Sequence, residues 1–335
     1  MEQIPASSYE TGPVAQSDIA YPPKYQKQDQ PGNIWMKSIM SLGLYLLLGY
    51  YIFHNFDVLL IITGIVVLHE MGHFLAMKFF RYKDLGIFFI PLLGAYVSGT
   101  KREVSEKQSA IILLAGPLPG IIIGILLYMI DKGGQGYYFL NISLNRIGLL
   151  FMVLNLINLI PLYPLDGGQL LNRVFLDEEG WMGKIFVVLS ALFMIWIAWN
   201  FDSIVRYLLL IFPIMILLRL RTDKKFDQVE KKIETEGIDL DTSYEQLSDA
   251  DYWKTRNILI NEHPSFRDIN PTPPFAYHPK EEKVMTTIQS LLHRHLIQDL
   301  TLVGKLFILV IWIAAFASPW LFDMDILPFL SRFGF

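Results

Sequence analysis

Long apolar blocks separated by short polar runs dominate the chain. They fall at about Trp35–Phe53, Val58–Phe80, Ala110–Ile130, Ile147–Leu165, Ile185–Trp199, Ile204–Leu220 and Val303–Phe322. Most reach the roughly 20 residues that a helix needs to cross a hydrocarbon core, and the fifth and sixth are short. Apolar residues fill whole blocks and do not form stripes at helical spacing, as expected of helices placed in lipid. The pattern predicts an all-α integral membrane protein, a polytopic helical bundle of about six to seven spans.

The polar stretches divide the rest. Residues 1–33 carry Pro and Gly without an apolar period, which predicts a disordered tail. This start lacks the basic opening and early apolar core of a cleaved signal peptide, so the first span is expected to stay in the mature protein. A membrane-embedded domain over 34–220 follows, then a soluble region or linker over 221–301, then a last span with a short tail over 302–335. Near the end of the soluble stretch, Val284, Ile288, Leu291, Leu292 and Leu296 share one helical face, a packing pattern. His293 and His295, two apart, point to different sides of a helix and read as solvated surface groups.

Composition and charge narrow the chemistry. Hydrophobic residues make up 53% and charged residues 18% of the chain, in keeping with a membrane protein. The formal charge of -4 comes without a basic patch, so no nucleic-acid partner is expected. Without cysteine, a soft metal site must be built from histidine and carboxylate. Lys24, Lys27 and Lys37 precede the first span, and Lys78, Arg81, Lys83, Lys101, Arg102 and Lys107 cluster after the second. By the positive-inside rule the tail and the 81–107 loop are cytoplasmic, and the alternation places 221–301 on the same side.

Against this background "HEMGH", His69 to His73, stands out. Histidines four apart lie on one face of a helix, where both imidazoles reach one ion, and Glu70 lies beside them. In zinc hydrolases two neutral imidazoles hold the metal and the adjacent glutamate takes a proton from the water that the metal acidifies. Ionisable groups at bilayer depth cost on the order of 3 kcal/mol or more, so their presence inside a span points to function and not to chance.

A tetrahedral site then needs a further protein ligand. In "NLINLIPLYPLDGGQLLNR", Asp166 is the only carboxylate between Arg146 and Arg173. Pro161, Pro164, Gly167 and Gly168 predict that the helix unwinds there. Unwound backbone at membrane depth is tolerated where it is buried in protein or lines a wet cavity. Asn155 and Asn158, three apart on one face, fit either a bond to an opened substrate backbone or interhelical hydrogen bonds. Asn158, nearer the unwound turn, is the better substrate-binding candidate.

Together, "HEMGH", "FIPLLGAYVSG", "LLAGPLPG" and "NLINLIPLYPLDGG", in that order over about Leu68 to Gln169, resemble the site-2 protease family of intramembrane zinc metalloproteases. The resemblance implies zinc on His69, His73 and Asp166, Glu70 as general base, and a catalytic core formed by the second, third and fourth spans. It implies as substrate a transmembrane helix or signal-peptide remnant in the lipid bilayer. It further implies a short membrane-inserted β-hairpin at Ile87–Ser98, whose Gly94 and Tyr96 would bind an extended substrate by strand addition. Ala95 stands where relatives often carry glycine, and no external loop is long enough for a PDZ module. We expect a multi-pass protein of a bacterial cytoplasmic membrane with its site toward the cytoplasm. Two other functions use the same polar residues, a catalytically silent scaffold and a metal transporter. An altered Glu70 would favour the scaffold, and ionisable residues spread through several spans would favour the transporter.

Overall fold

In a computed structural model of the chain, the structure describes residues 21–26, 34–53, 55–91, 94–101, 104–133, 136–178, 180–201, 204–240, 242–270, 276–292 and 296–331. His293 and His295 lie outside these residues. The chain divides into two compact units, one of residues 29–224 with 293–335, the other of 1–28 with 225–292.

In the first unit helix α1 (Ile34–Phe53) leads to α2 (Phe56–Phe79), which carries the two site histidines. Asn55 starts α2, its side chain accepting from the backbone N–H of Val58, with Asp57 in the first turn and Lys78 in the last. Both charges suit the helix dipole. Strands β1 (Lys83–Ile90) and β2 (Gly94–Thr100) then form an antiparallel hairpin, with Phe88 opposite Tyr96 and Ile90 opposite Gly94. The third apolar block is broken in two, α3 (Glu106–Ala115) and α4 (Pro117–Ile130), at Gly116 just before Pro117. A two-residue hairpin, β3 (Tyr138–Phe139) with β4 (Ile142–Ser143), leads into α5 (Leu144–Leu159).

The chain leaves helical geometry after Leu159 and re-enters it at α6 (Asp166–Leu170), which continues as a π-helical turn over Leu171–Leu176. Pro161 and Pro164 lie in the gap, as proline's missing N–H and fixed ring require. Helices α7 (Trp181–Trp199), α8 (Ile204–Thr235) and, after the second unit, α11 (Leu302–Leu321) and α12 (Ile326–Ser331) complete the order. Among the described residues four helical stretches are long and apolar enough to cross a membrane: Phe56–Phe79, Glu106–Ile130, Trp181–Trp199 and Leu302–Leu321. The other expected blocks are α1, the shorter α5 and the apolar first part of α8.

Two buried clusters hold the site's helices. One joins Leu113 and Leu114 of α3, Ile121 of α4, Met152 and Leu159 of α5, and Trp312 of α11; the other joins Ile61 and Ile65 of α2 to Ile147 and Phe151 of α5. Full burial of such side chains contributes about 1.5–3 kcal/mol each by transfer from water, and in lipid close packing takes over that role.

The second unit is a small helical module with a core of its own. The end of α8, helix α9 (Asp249–Glu262) and helix α10 (Glu281–Leu291) close around Val229, Ile233, Tyr252, Trp253, Leu259 and Ile288. Ser248 caps α9 by accepting from the N–H of Asp251. Of the stretch expected to be disordered, residues 21–26 are described, and Tyr21 and Tyr25 pack against this core.

Candidate metal centre

Helix α2 presents His69, Glu70 and His73, all buried, toward α3, α5 and the unwound 160–165 segment. His69 Nε2 lies 3.0 Å from Asp166 Oδ2, and His73 Nε2 lies 3.2 Å from the same oxygen. The two Nε2 atoms are 3.1 Å apart. Three ligand atoms of a tetrahedral zinc at about 2.0–2.1 Å would be separated by roughly 3.3 Å, so the triangle has the dimensions of one face of such a site.

The far side of each ring decides which nitrogen can bind. His73 Nδ1 lies 2.7 Å from the carbonyl oxygen of Ile112, which can only accept, so Nδ1 carries the proton. His69 Nδ1 lies 2.8 Å from Asn155 Oδ1, while Asn155 Nδ2 donates to the Phe151 carbonyl at 2.7 Å. The amide is thereby oriented with its oxygen toward the ring, and His69 also carries its proton on Nδ1. Both Nε2 atoms point their lone pairs at the carboxylate oxygen. With both rings neutral, two imidazole nitrogens and a carboxylate oxygen converge on one point, and this donor set suits zinc.

Glycine makes this geometry possible at two places. A Cβ at Gly116 would sit 2.3 Å from His73 Nε2, and one at Gly120 would sit 2.2 Å from Asn155 Nδ2. Both glycines lie in the small-residue run "LLAGPLPG". In the structure the run makes room for one candidate ligand and for the residue that orients the other.

The loop leading to Asp166 is held from three sides. Trp312 Nε1 of α11 donates to the Leu159 carbonyl at 2.9 Å, where α5 ends. The Tyr163 N–H donates to Ser190 Oγ of α7 at 3.2 Å, and Arg219 of α8 donates to the Tyr163 hydroxyl. These partners come from distant helices and leave no local signature in the sequence.

A cavity of about 840 Å³ opens on the site. His69, Glu70, His73 and Asp166 line it, as do Gly94 and Tyr96 of β2, Asn158 of α5, and Arg173 with Glu178. Arg173 Nε donates to Glu178 Oε2 at 3.0 Å. The structure thus brings His69, Glu70, His73, Asp166, Gly94, Tyr96 and Asn158 to one cavity. Asn155 and Asn158 part company: Asn155 is an interhelical partner of His69, while Asn158 faces the cavity and donates from Nδ2 to Leu154 O of its own helix at 3.3 Å.

Comparison with known proteins reaches the same region. Residues 57–141 match the model of peptidase family M50, a span that includes His69, Glu70 and His73 but ends before Asp166. A zinc metalloprotease of Methanocaldococcus jannaschii is 32% identical over 121 residues, 35% of this chain and 34% of that protein. Stage IV sporulation protein FB of Bacillus subtilis is 29% identical over 119 residues, 35% of this chain and 40% of that protein. The matched regions are thus well under half of these relatives' lengths. Among solved structures, the site-2 protease from Methanocaldococcus jannaschii matches 54% of this chain and 84% of that one, at 26% identity and a TM-score of 0.38. Residues 57–141 are therefore similar to peptidase family M50, and the chain resembles a zinc metalloprotease over about a third of its length.

Proposed function

We propose that the chain is a zinc-dependent intramembrane endopeptidase that hydrolyses peptide bonds within or next to transmembrane helices of membrane-protein substrates. The observation that carries this reading is the convergence of His69 Nε2, His73 Nε2 and Asp166 Oδ2 in a cavity that also holds Glu70, with both histidines and Glu70 on a helix of membrane-crossing length. His69, His73 and Asp166 would hold zinc, which when bound supplies a Lewis acid that polarises a carbonyl and acidifies water. Glu70 takes the proton of the attacking water and returns it to the leaving amine.

A peptide bond inside a helix is hydrogen-bonded and wrapped by side chains, so the substrate has to open locally before water reaches it. The hairpin supports a way to hold the opened chain. Strand β2 pairs with β1 on one edge, has no strand on its other edge among the described residues, and lines the cavity from Gly94 to Gly99. An extended substrate can add to that edge. In this reading the second N–H of Asn158 Nδ2 donates to substrate backbone or to the developing oxyanion, and its Oδ1 accepts from a substrate N–H. Flanking charge supports a site in the cytoplasmic half of the bilayer.

The reading is tested with a single-span substrate reconstituted in vesicles beside the purified chain. A cut within the spanning segment, abolished by a zinc chelator and restored by added zinc, is the expected result. A chain that leaves the spanning segment whole under all conditions, or cuts it equally with metal stripped, contradicts the proposal.

A further inference from the structure

The helical module carries a groove in which the chain's own segment Tyr21–Gln26, "YPPKYQ", is seated. Each contact is of a kind that recognises an extended peptide. Trp253 Nε1 donates to the Pro22 carbonyl at 2.8 Å, the Tyr277 hydroxyl donates to the Pro23 carbonyl, and the Tyr244 hydroxyl donates to the Tyr25 carbonyl at 2.5 Å. Lys24 is held at both ends. Its N–H donates to Asp249 Oδ1 at 2.8 Å, and its Nζ donates to the carbonyls of Glu245 at 2.8 Å and Leu247 at 2.6 Å while standing 5.7 Å above the Tyr244 ring.

Aromatic donors aimed at the main-chain carbonyls of Pro22, Pro23 and Tyr25 read an extended backbone. Proline suits that role, because its φ is fixed and it has no N–H to leave unpaired. The aromatic wall is itself prearranged: Trp253 and Tyr277 stack at 5.9 Å with an interplanar angle of 14°. The module's core is built from residues 226–292, whereas Pro23 and Gln26 are exposed and Tyr21, Pro22, Lys24 and Tyr25 only half-buried. The segment therefore lies on the module as a ligand lies on a domain.

We propose that this groove is a recognition site for extended, proline-containing peptides of the Tyr-Pro-Pro-Lys-Tyr type, with residues 21–26 as its tethered occupant. The ligand class follows from the contacts: main-chain carbonyls for the aromatic donors, and one lysine for the pair of carbonyls ahead of α9. The proposal is independent of the peptidase reading, since its test reads binding and not cleavage.

The test uses the full chain in detergent and a fluorescently labelled Tyr-Pro-Pro-Lys-Tyr-Gln peptide. In the double variant Lys24→Ala with Tyr25→Ala the tethered occupant is weakened, and the peptide should bind saturably, at least about tenfold more tightly than to the unaltered chain, whose groove is filled at high effective concentration. Trp253→Phe in that background removes one donor while keeping a ring, and should weaken the peptide about 3- to 10-fold. A peptide with alanine in place of lysine should bind at least about tenfold more weakly. Protease protection of residues 225–292 is followed in parallel. A protected module that does not bind the peptide overturns the proposal, and so does a double variant in which the module is no longer protected, because the segment would then be part of the module's core.

Discussion

Two carboxylates, Asp166 in the membrane unit and Glu281 in the helical module, sit among polar neighbours of opposite character. Glu281 is saturated with donors. Arg256 Nε and the Tyr252 hydroxyl both donate to its Oε1 at 2.6 Å, and Arg256 NH2 and the His278 N–H donate to its Oε2 at 3.0 and 3.1 Å. Burial pushes the Glu281 carboxyl up, but these hydrogen bonds and the guanidinium charge outweigh it and hold the carboxyl below its ordinary value. Burial, together with the neighbouring carboxylate, pushes the Tyr252 hydroxyl up and keeps it protonated as a donor.

At Asp166 the neighbours are two imidazoles whose protons are engaged behind them, by Ile112 O and Asn155 Oδ1. What decides between a closed fold element and a cation site is therefore the group behind each ring. A carbonyl there turns a histidine from a donor toward the carboxylate into a second acceptor beside it. One cluster needs nothing more, and the other brings together three groups that could hold a metal.

The sharpest break of this comparison comes from removing a ligand. His69→Ala, His73→Ala or Asp166→Ala should lower zinc affinity by roughly 1,000-fold or more and remove cleavage with it, read by metal analysis and a cleavage assay on the same preparation. Opening the closed cluster should act elsewhere. Arg256→Ala leaves Glu281 buried without its counter-charge and should destabilise the module by about 3–5 kcal/mol, seen as protease sensitivity of 225–292, with zinc content unchanged.

An intermediate effect is expected for Asn155→Ala. It removes the acceptor behind His69 without touching a ligand, and should weaken zinc binding about 10- to 100-fold, measured by competition with a chelator. Acid sharpens the contrast further. The Glu281 carboxyl is depressed in the folded chain, so its contribution to module stability is fully present above the unfolded value of about 4.3 and is lost as pH falls through the folded value. Protease protection of 225–292 should fall in that acid window, and Glu281→Gln should flatten the dependence. The smallest effect is expected at Trp312→Phe, which keeps the packing but frees the Leu159 carbonyl; cleavage should fall about 3- to 10-fold with little change in substrate affinity.

What could be read from the sequence was what depends on local order. Apolar blocks, the spacing of His69 and His73, and the helix break around Pro161 and Pro164 each follow from residues within a turn or two of one another. The partners of these residues do not. That Asn155 would face His69, that Gly116 and Gly120 would clear space for His73 and Asn155, and that Trp312 would cap α5 depend on which helices pack together. Residues 21–26 make the same point from the other direction. The segment lacks a hydrophobic period, so its composition alone reads as disordered, yet its ordering contacts are hydrogen bonds accepted by its carbonyls and donated by Lys24, with partners more than 200 positions away.

The most direct measurement separates holding the metal from moving the proton. Glu70→Gln keeps the shape of the side chain and removes its basicity, in a residue that lines the cavity beside both histidines. Metal analysis of the purified variant should find zinc unchanged at about one per chain, while cleavage of a spanning substrate falls by roughly 100-fold or more. A variant that loses its zinc, or one that cleaves at the original rate, would contradict the division of roles between Glu70 and the triad of His69, His73 and Asp166.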